Sequence, residues 1–141
     1  MNGWSGVLWA ALATGAFAVV SNVRGRDLPV SAVGGGLGWL VYLAVSRFSQ
    51  SEGLAFFAAS FSIALYSELA SRLLARPTTT YLVCALIPLV PGGGMYYMMA
   101  RSLSGDLEGT LSIGFATLSV AGSIATGVAV GSAVARLARR L

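Results

Sequence analysis

The sequence predicts an all-α fold, a polytopic membrane protein built as a five-transmembrane-helix bundle whose fourth helix is broken by proline and glycine. Of its 141 residues, 56% are hydrophobic and only 10% are charged, whereas soluble domains average about 25% charged residues. Five apolar segments are about as long as the ~20 residues that cross a bilayer. The loops between them are short, so residues 1–141 are expected to form a single transmembrane domain.

The first two predicted spans cover residues 4–23 and 28–46. No positive residue precedes the first span, which is atypical of a cleavable signal peptide. The second span carries four glycines in its first half, at positions 34, 35, 36 and 38. Because glycine weakens a helix, these residues indicate either close packing against a neighbouring helix, which is the favoured interpretation, or an unwound element beside a transport path.

The third span, residues 53–74, contains Glu68, the one acidic residue expected at membrane depth. Arg72 follows four residues later, which puts both side chains on one helix face in the favourable order. Three interpretations stay open. Intramembrane ionisable residues are functional candidates by default, so Glu68 is a candidate proton carrier. Alternatively, Glu68 and Arg72 form an ion pair near the cytoplasmic interface that only anchors the helix. In the third interpretation, Arg72 attracts an anionic substrate at the cytoplasmic mouth.

The fourth span, residues 78–100, contains Pro88, Pro91 and the triplet Gly92, Gly93 and Gly94. Proline lacks an N–H and clashes with the carbonyl four residues earlier, so the carbonyls of Cys84 and Ile87 are expected to be free. The helix should stop near Pro88 and restart at residues 92–94. A threonine of residues 78–80 is expected to cap its N-terminus. Broken backbone is tolerated in a membrane only where it faces protein or a water-filled cavity.

This break predicts a polar site near the bilayer midplane, where transporters with discontinuous helices bind substrate. The N–H groups of the glycine segment suit a substrate carboxylate. The freed carbonyls would accept from an ammonium, a hydroxyl or water, and the hydroxyls of Tyr96 and Tyr97 would complete the pocket. The competing interpretation is a proline kink that neighbouring helices pack without a ligand.

The fifth span, residues 110–135, contains Gly127 and Gly131, a GxxxG pattern typical of close helix contact in lipid. The arginines predict the orientation, because cytoplasmic loops are rich in Lys and Arg. With the N-terminus outside and the C-terminus inside, seven arginines lie in the cytoplasm and only Arg47 and Arg101 lie outside. The cytoplasmic seven are Arg24, Arg26, Arg72, Arg76, Arg136, Arg139 and Arg140.

Composition also argues against several functions. The net charge of +4 comes from arginines in short loops, which indicates topology and not nucleic-acid binding. There is no histidine, and Cys84 is the only cysteine, so the sequence offers neither a disulfide nor a metal cluster. No nucleophile constellation or phosphate-binding loop is present, and no cofactor or enzymatic activity is predicted.

Three segments resemble the threonine/serine exporter family: residues 66–72 (YSELASR), residues 76–79 (RPTT) and residues 87–97 (IPLVPGGGMYY). More closely, the chain is similar to the small membrane subunit of the split form, like the small component of the bacterial succinate exporter. The resemblance implies a multi-pass protein of the bacterial cytoplasmic (inner) membrane. It also implies a secondary exporter of small hydroxylated amino acids or dicarboxylates.

In that family a larger protein supplies a cytoplasmic domain and about five further spans, and the two halves would meet as inverted repeats. The chain is therefore expected to need this larger subunit or to form a homo-oligomer. The leading hypothesis is a transporter subunit for small carboxylates, coupled to the proton gradient. The alternative is a non-transporting scaffold, whose signature would be unbroken helices and a packed interior. A channel is a further hypothesis, because a broken helix can line a pore. Flux that saturates and is coupled to a counter-ion would indicate a carrier and not a channel.

Overall fold

A computed structural model describes residues 3–138, and the side chains from residue 5 onwards. This part of the chain is helical throughout and contains no strand. The helices are α1 (Gly3–Val20), α2 (Asp27–Phe48), α3 (Glu52–Leu74), α4 (Thr78–Leu86), a short 3₁₀ helix (Ile87–Leu89), α5 (Gly92–Leu103) and α6 (Leu107–Leu137).

Three of these helices, α2, α3 and α6, are long and apolar enough to cross a membrane. The segment from α4 to α5 passes the same test as one pair bent by 52°, which gives up to four candidate spans. The apolar part of α1, Ser5–Val20, is shorter than a full span. The structure thus describes a multi-pass membrane protein, but it does not bear out a count of five spans.

The first helix ends at Val20, three residues before the predicted boundary, because the chain closes it with a Schellman turn. The N–H of Val23 donates to the carbonyl of Ala18 over 2.9 Å, and the N–H of Asn22 donates to Val19 over 3.0 Å. Asn22 takes the left-handed conformation, with φ at 61°, which asparagine tolerates better than most residues. A helix of 18 residues is about 27 Å long, slightly less than the ~30 Å hydrocarbon core.

Helix α3 lies at the centre of the bundle and packs most extensively against α6, with α2 and α4 on its other sides. The core is built from small and branched residues, with Ala59, Ile63, Ala85 and Leu89 forming its buried cluster. Small residues let helix backbones approach closely, which drives association where lipid is as apolar as the side chains.

The glycines of α2 serve packing, because α2 is one continuous helix from Asp27 to Phe48. A Cβ at Gly34 would lie 2.8 Å from the Tyr66 ring, and one at Gly36 would lie 3.3 Å from the Ala11 Cβ. The alternative prediction of an unwound second span is therefore wrong: tertiary contact overrides the low helix propensity of glycine.

The GxxxG pattern of α6 makes the close contact that it predicts, and its partner is α3. A Cβ at Gly127 would lie 2.6 Å from the carbonyl oxygen of Phe57, and one at Gly131 would lie 2.9 Å from that of Phe61. Real Cβ atoms essentially never come that close to backbone, so larger side chains would push α6 away from α3.

One end of the bundle, called here the arginine-rich end, comprises the α1–α2 turn, the α3–α4 turn and the C-terminal part of α6. Side-chain contacts join these segments: Arg76 Nε lies 3.3 Å from Asp27 Oδ2, and Arg72 Nη2 donates to the Ala135 carbonyl over 2.6 Å. Five arginines of the topology prediction belong to these segments, while Arg139 and Arg140 lie outside the described residues. Which side of the membrane this end faces stays a prediction.

Candidate functional site

The helix that begins at Thr78 is interrupted between Leu86 and Gly92. Helix α4 ends at Leu86, residues 87–89 form a 3₁₀ turn, and Val90 then takes an extended conformation with φ −60° and ψ 126°. Pro91, with ψ at 54°, precedes the first residue of α5. The two helical parts meet at 52°, because proline at positions 88 and 91 removes the donors that a continuous helix would need.

The carbonyls of Cys84 and Ile87 are not free, so this part of the prediction is wrong. The N–H of Ile87 donates to the Cys84 carbonyl, and the N–H of Val90 donates to the Ile87 carbonyl over 3.2 Å. The 3₁₀ turn supplies bonds three residues apart where the prolines prevent bonds four residues apart. These oxygens are therefore weaker candidates for holding a cation than the sequence indicates.

The glycine segment does present donors. Around the restart, the N–H of Gly92 donates to Val90 over 2.7 Å and that of Met95 donates to Pro91 over 3.2 Å. The N–H groups of Gly93 and Gly94 have no backbone partner within residues 3–138. They are the unpaired donors of a helix N-terminus, which carries a partial positive charge.

A pocket of about 340 Å³ lies beside this restart, between α3, α5 and α6. We call it the interruption pocket; Pro91 and Gly94 line it together with Glu52, Phe56, Ser112, Ile113, Ala116, Thr117 and Val120. Gly94 packs so closely on α6 that a Cβ there would collide with the Thr117 side chain. The residues that line this pocket thus include one acidic residue, Glu52, two hydroxyl-bearing residues, Ser112 and Thr117, and Gly94 from the start of α5.

The structure does not bring Tyr96 and Tyr97 into this pocket. Their side chains are 68% and 62% exposed, and their rings contact each other edge to face, with centroids 5.4 Å apart. Helix α5 faces α6 through Gly94 and Met98, one turn apart, which directs both tyrosines outward. The proposed role of their hydroxyls in a binding site has no support from this geometry.

The remaining predicted residues of the break are dispersed. Pro88 lines a separate apolar cavity of about 280 Å³ with Gly6, Trp9, Ala10 and Trp39. Gly92 and Gly93 are exposed, and a Cβ at either would meet nothing within 4 Å. Only Pro91 and Gly94 of the predicted set line the interruption pocket.

Glu68 lies at the arginine-rich end, apart from the interruption pocket. It is 7% exposed, and its Oε1 lies 3.8 Å from Arg72 Nε. Thr78 Oγ1 donates to Glu68 Oε2 over 3.0 Å, so Thr78 does not cap α4; Pro77 occupies the cap position without a side-chain bond. These contacts favour the ion-pair interpretation of Glu68, while its role in proton transfer remains a prediction.

A second acid with side-chain partners, the half-buried Asp27, was missed by the sequence reasoning, which placed it in a loop. Its side chain is 14% exposed and pairs with Arg76. The hydroxyl of Tyr81, a fully buried residue, donates to Asp27 Oδ1 over 2.7 Å. The available signal was its position two residues before Pro29, since proline is favoured in the first turn and this places Asp27 inside the helix. The pocket residues Glu52, Ser112 and Thr117 gave no such signal, because only the fold brings α3 and α6 together there.

An all-helical chain with several bilayer-length apolar helices, one of them interrupted beside a polar pocket, has the architecture of a multi-pass membrane transporter. Residues 6–134 match the model of the family described as Threonine/Serine exporter, ThrE. This match spans most of the chain, so the protein belongs to the threonine/serine exporter family, which is a transporter family and not an enzyme family. No curated protein and no solved structure matches the chain.

Proposed function

We propose that the chain is the transmembrane subunit of a secondary transporter that exports small carboxylate metabolites, threonine and serine or a dicarboxylate such as succinate. The interruption pocket is the proposed binding site. The observation that carries this proposal is that the acidic residue Glu52 lines the same pocket as Gly94, whose N–H has no backbone partner within residues 3–138. Family membership supports the transporter class.

The pocket offers a partner for each polar group of a hydroxylated amino acid. The N–H of Gly94, at the positive end of α5, suits the carboxylate. The side chain of Glu52 suits the ammonium, and Ser112 and Thr117 suit a hydroxyl. Thr117 Oγ1 donates to the Ile113 carbonyl over 2.7 Å, which leaves its lone pairs to accept from a ligand. The volume of about 340 Å³ falls at the small end of the usual range for ligand pockets.

The length of the preceding segment supports a location inside the hydrocarbon core. Nine α-helical residues and three 3₁₀ residues lead from Thr78 to Leu89, and they rise about 19 Å. A path of that length from one interface ends between the midplane and the far side of a ~30 Å core. We therefore retain the topology of five spans, counting α1 and the bent α4–α5 segment as one span each, with the N-terminus outside and the C-terminus inside.

We also propose a partner, because α5 buries no residue in this chain. The larger subunit of the same family, with its cytoplasmic domain and about five spans, is the proposed neighbour, and a homo-oligomer is the alternative. The location proposed is the bacterial inner membrane, and the driving force is the proton gradient. The scaffold hypothesis predicts unbroken helices and a packed interior, so the interruption and its pocket count against it.

The test is counterflow of labelled threonine, serine and succinate into liposomes, with and without the larger partner. Thr117→Val removes one hydroxyl from the pocket at nearly constant shape. Thr126→Val is the matched control, since Thr126 is exposed on the same helix outside the pocket. We expect the first variant to lose uptake of the hydroxylated amino acids at least tenfold and the second to keep it. Equal transport by both variants would remove the pocket from the mechanism.

A further inference from the structure

A second polar pocket lies at the arginine-rich end, and it shares no lining residue with the interruption pocket. Its volume is about 350 Å³, and it is enclosed by the α1–α2 turn and by the start of α4. We call it the arginine pocket; its lining includes Ser21, Asn22, Arg24, Asp27, Arg76 and Thr80. No role follows for it from the family match, which names a transported substrate but no residues.

The charges of the arginine pocket do not balance internally. Both oxygens of Asp27 are engaged, Oδ1 by the Tyr81 hydroxyl and Oδ2 by Arg76 Nε. Within residues 3–138, Arg76 makes this one ion pair through Nε, and 62% of its side chain is exposed. Arg24 has no ion pair within residues 3–138. Two arginines and one aspartate, whose carboxylate already has partners, therefore line the pocket, and the surplus charge of the lining is positive.

The walls of this pocket are held in place before any ligand arrives. Tyr81 is fully buried and fixes the Asp27 carboxylate, while Ser31 Oγ donates to the Asp27 carbonyl over 2.9 Å. On the other wall, the Schellman turn at Asn22 sets the path of the α1–α2 turn. A preformed, positively charged cavity of this size suits a small carboxylate, because planar guanidinium groups bind carboxylates with two parallel hydrogen bonds.

We propose that the arginine pocket is a second binding site, which takes a small carboxylate through Arg24 and Arg76. This inference rests on the proposed function in one respect. It takes the bound carboxylate to be the exported metabolite, which occupies the arginine pocket before it reaches the interruption pocket. Asp27 keeps Arg76 oriented toward the cavity, so it acts as a positioning residue. The same chemistry would also accept an anionic lipid headgroup, and the experiment separates the two sources.

The experiment measures protection of a single cysteine from a maleimide. Cys84→Ser removes the native thiol, which is buried. Three cysteine variants are made in that background. Thr80→Cys reports on the pocket wall, and Thr79→Cys is an adjacent, exposed position outside the lining. Ser21→Cys reports from the opposite wall. The full chain is placed in nanodiscs of phosphatidylcholine, alone or with phosphatidylglycerol added, and in each case labelling rates are compared with and without millimolar threonine or succinate.

We expect a carboxylate to slow labelling at Thr80→Cys and Ser21→Cys at least fivefold and to leave Thr79→Cys unchanged. Arg24→Gln should raise the half-protecting concentration about tenfold, because it removes a charge-assisted hydrogen bond. Arg26→Gln is the matched control in the same turn, outside the pocket lining. Comparison of threonine with succinate then shows which carboxylate the site prefers.

Three results would overturn the inference. In the first, the added carboxylate changes the labelling rate at none of the positions. In the second, it protects Thr79→Cys as much as Thr80→Cys. In the third, protection requires phosphatidylglycerol and no carboxylate, which would make this a lipid site. Counterflow is measured in parallel on liposomes that contain the same variants together with the larger partner. Transport without protection rejects the arginine pocket alone, whereas protection without transport rejects the proposed function and leaves the binding site.

Discussion

The two ends of the α4–α5 segment are held by opposite means. Where α4 begins, at the arginine-rich end, side chains tie it to its neighbours: Thr78 to Glu68 of α3, and Tyr81 to Asp27 of α2. Beyond the interruption, α5 buries no residue, and its contacts are made almost entirely with α6. One half of the segment is therefore anchored, and the other half has little to prevent it from moving.

This difference suits a transporter. Buried polar contacts hold a helix in one position, because a movement that separates the partners leaves an uncompensated charge or donor. A helix with few buried contacts belongs to the less stable part of a fold, from which moving elements are drawn. The interruption joins the two, so α5 can change its angle to α4 while the anchored half keeps its position.

The largest effect is expected from a substitution that removes the side-chain contacts of the anchored half. Asp27→Ala leaves the buried Tyr81 hydroxyl without an acceptor and the partly exposed Arg76 without its ion pair, so we expect a loss of about 2 kcal/mol in the free energy of unfolding. Thermal unfolding in detergent measures it. Glu108→Ala, an exposed acid in the first turn of α6, should change stability by less than about 0.5 kcal/mol. Equal effects would show that the arginine-rich end is not the anchor.

The second prediction concerns a substitution in the interruption that leaves the contacts of the anchored half unchanged. Pro91→Ala restores an N–H and a residue about 3 kcal/mol more favourable in a helix, so it should straighten the segment and reduce counterflow at least tenfold. The variant should still insert and unfold near the wild-type temperature. Pro29→Ala is the control, because Pro29 lies in the first turn of α2, where proline is well tolerated. Unchanged transport in Pro91→Ala would show that the bend is dispensable.

The third prediction concerns Glu68, which belongs to the anchored half. Glu68→Gln retains an acceptor for Thr78 but loses the charge opposite Arg72, which is 3.8 Å away and partly exposed. We expect a destabilisation of about 1 kcal/mol or less and the same dependence of counterflow on pH as in the wild type. A pH dependence that disappears in the variant would instead identify Glu68 as the proton carrier.

The sequence predicted the helical class and the packing glycines, because each depends on local chemistry: hydropathy and the absent glycine Cβ. It did not predict the fate of the Cys84 and Ile87 carbonyls, since a 3₁₀ turn is one of several ways to satisfy them. The positions of Asp27 and Glu52 in the two pockets were not predicted, for a different reason. Their partners lie on other helices, and no pattern within one segment shows which helix ends meet.

The smallest expected effect lies at the far end, in the turn between α5 and α6, where polar contacts are exposed. Asp106 caps α6: its Oδ1 accepts from the Gly109 N–H over 2.9 Å, and its Oδ2 lies 2.8 Å from Arg101 Nη1. These two partners hold the pKa of the Asp106 carboxyl below its ordinary value.

Because the pKa of Asp106 is lower in the folded chain, its contribution to stability is complete above the ordinary carboxyl pKa and is lost as the pH falls through the folded value. The protection factors of the amides in the N-terminal turn of α6, which correct for the intrinsic pH dependence of exchange, should therefore fall below about pH 4, and Asp106→Asn should abolish that change while keeping the cap. Protection at the arginine-rich end should stay unchanged over the same range. If exchange there accelerated in parallel, acid would be acting on the bundle as a whole, and the contrast between an anchored and a mobile half would fail.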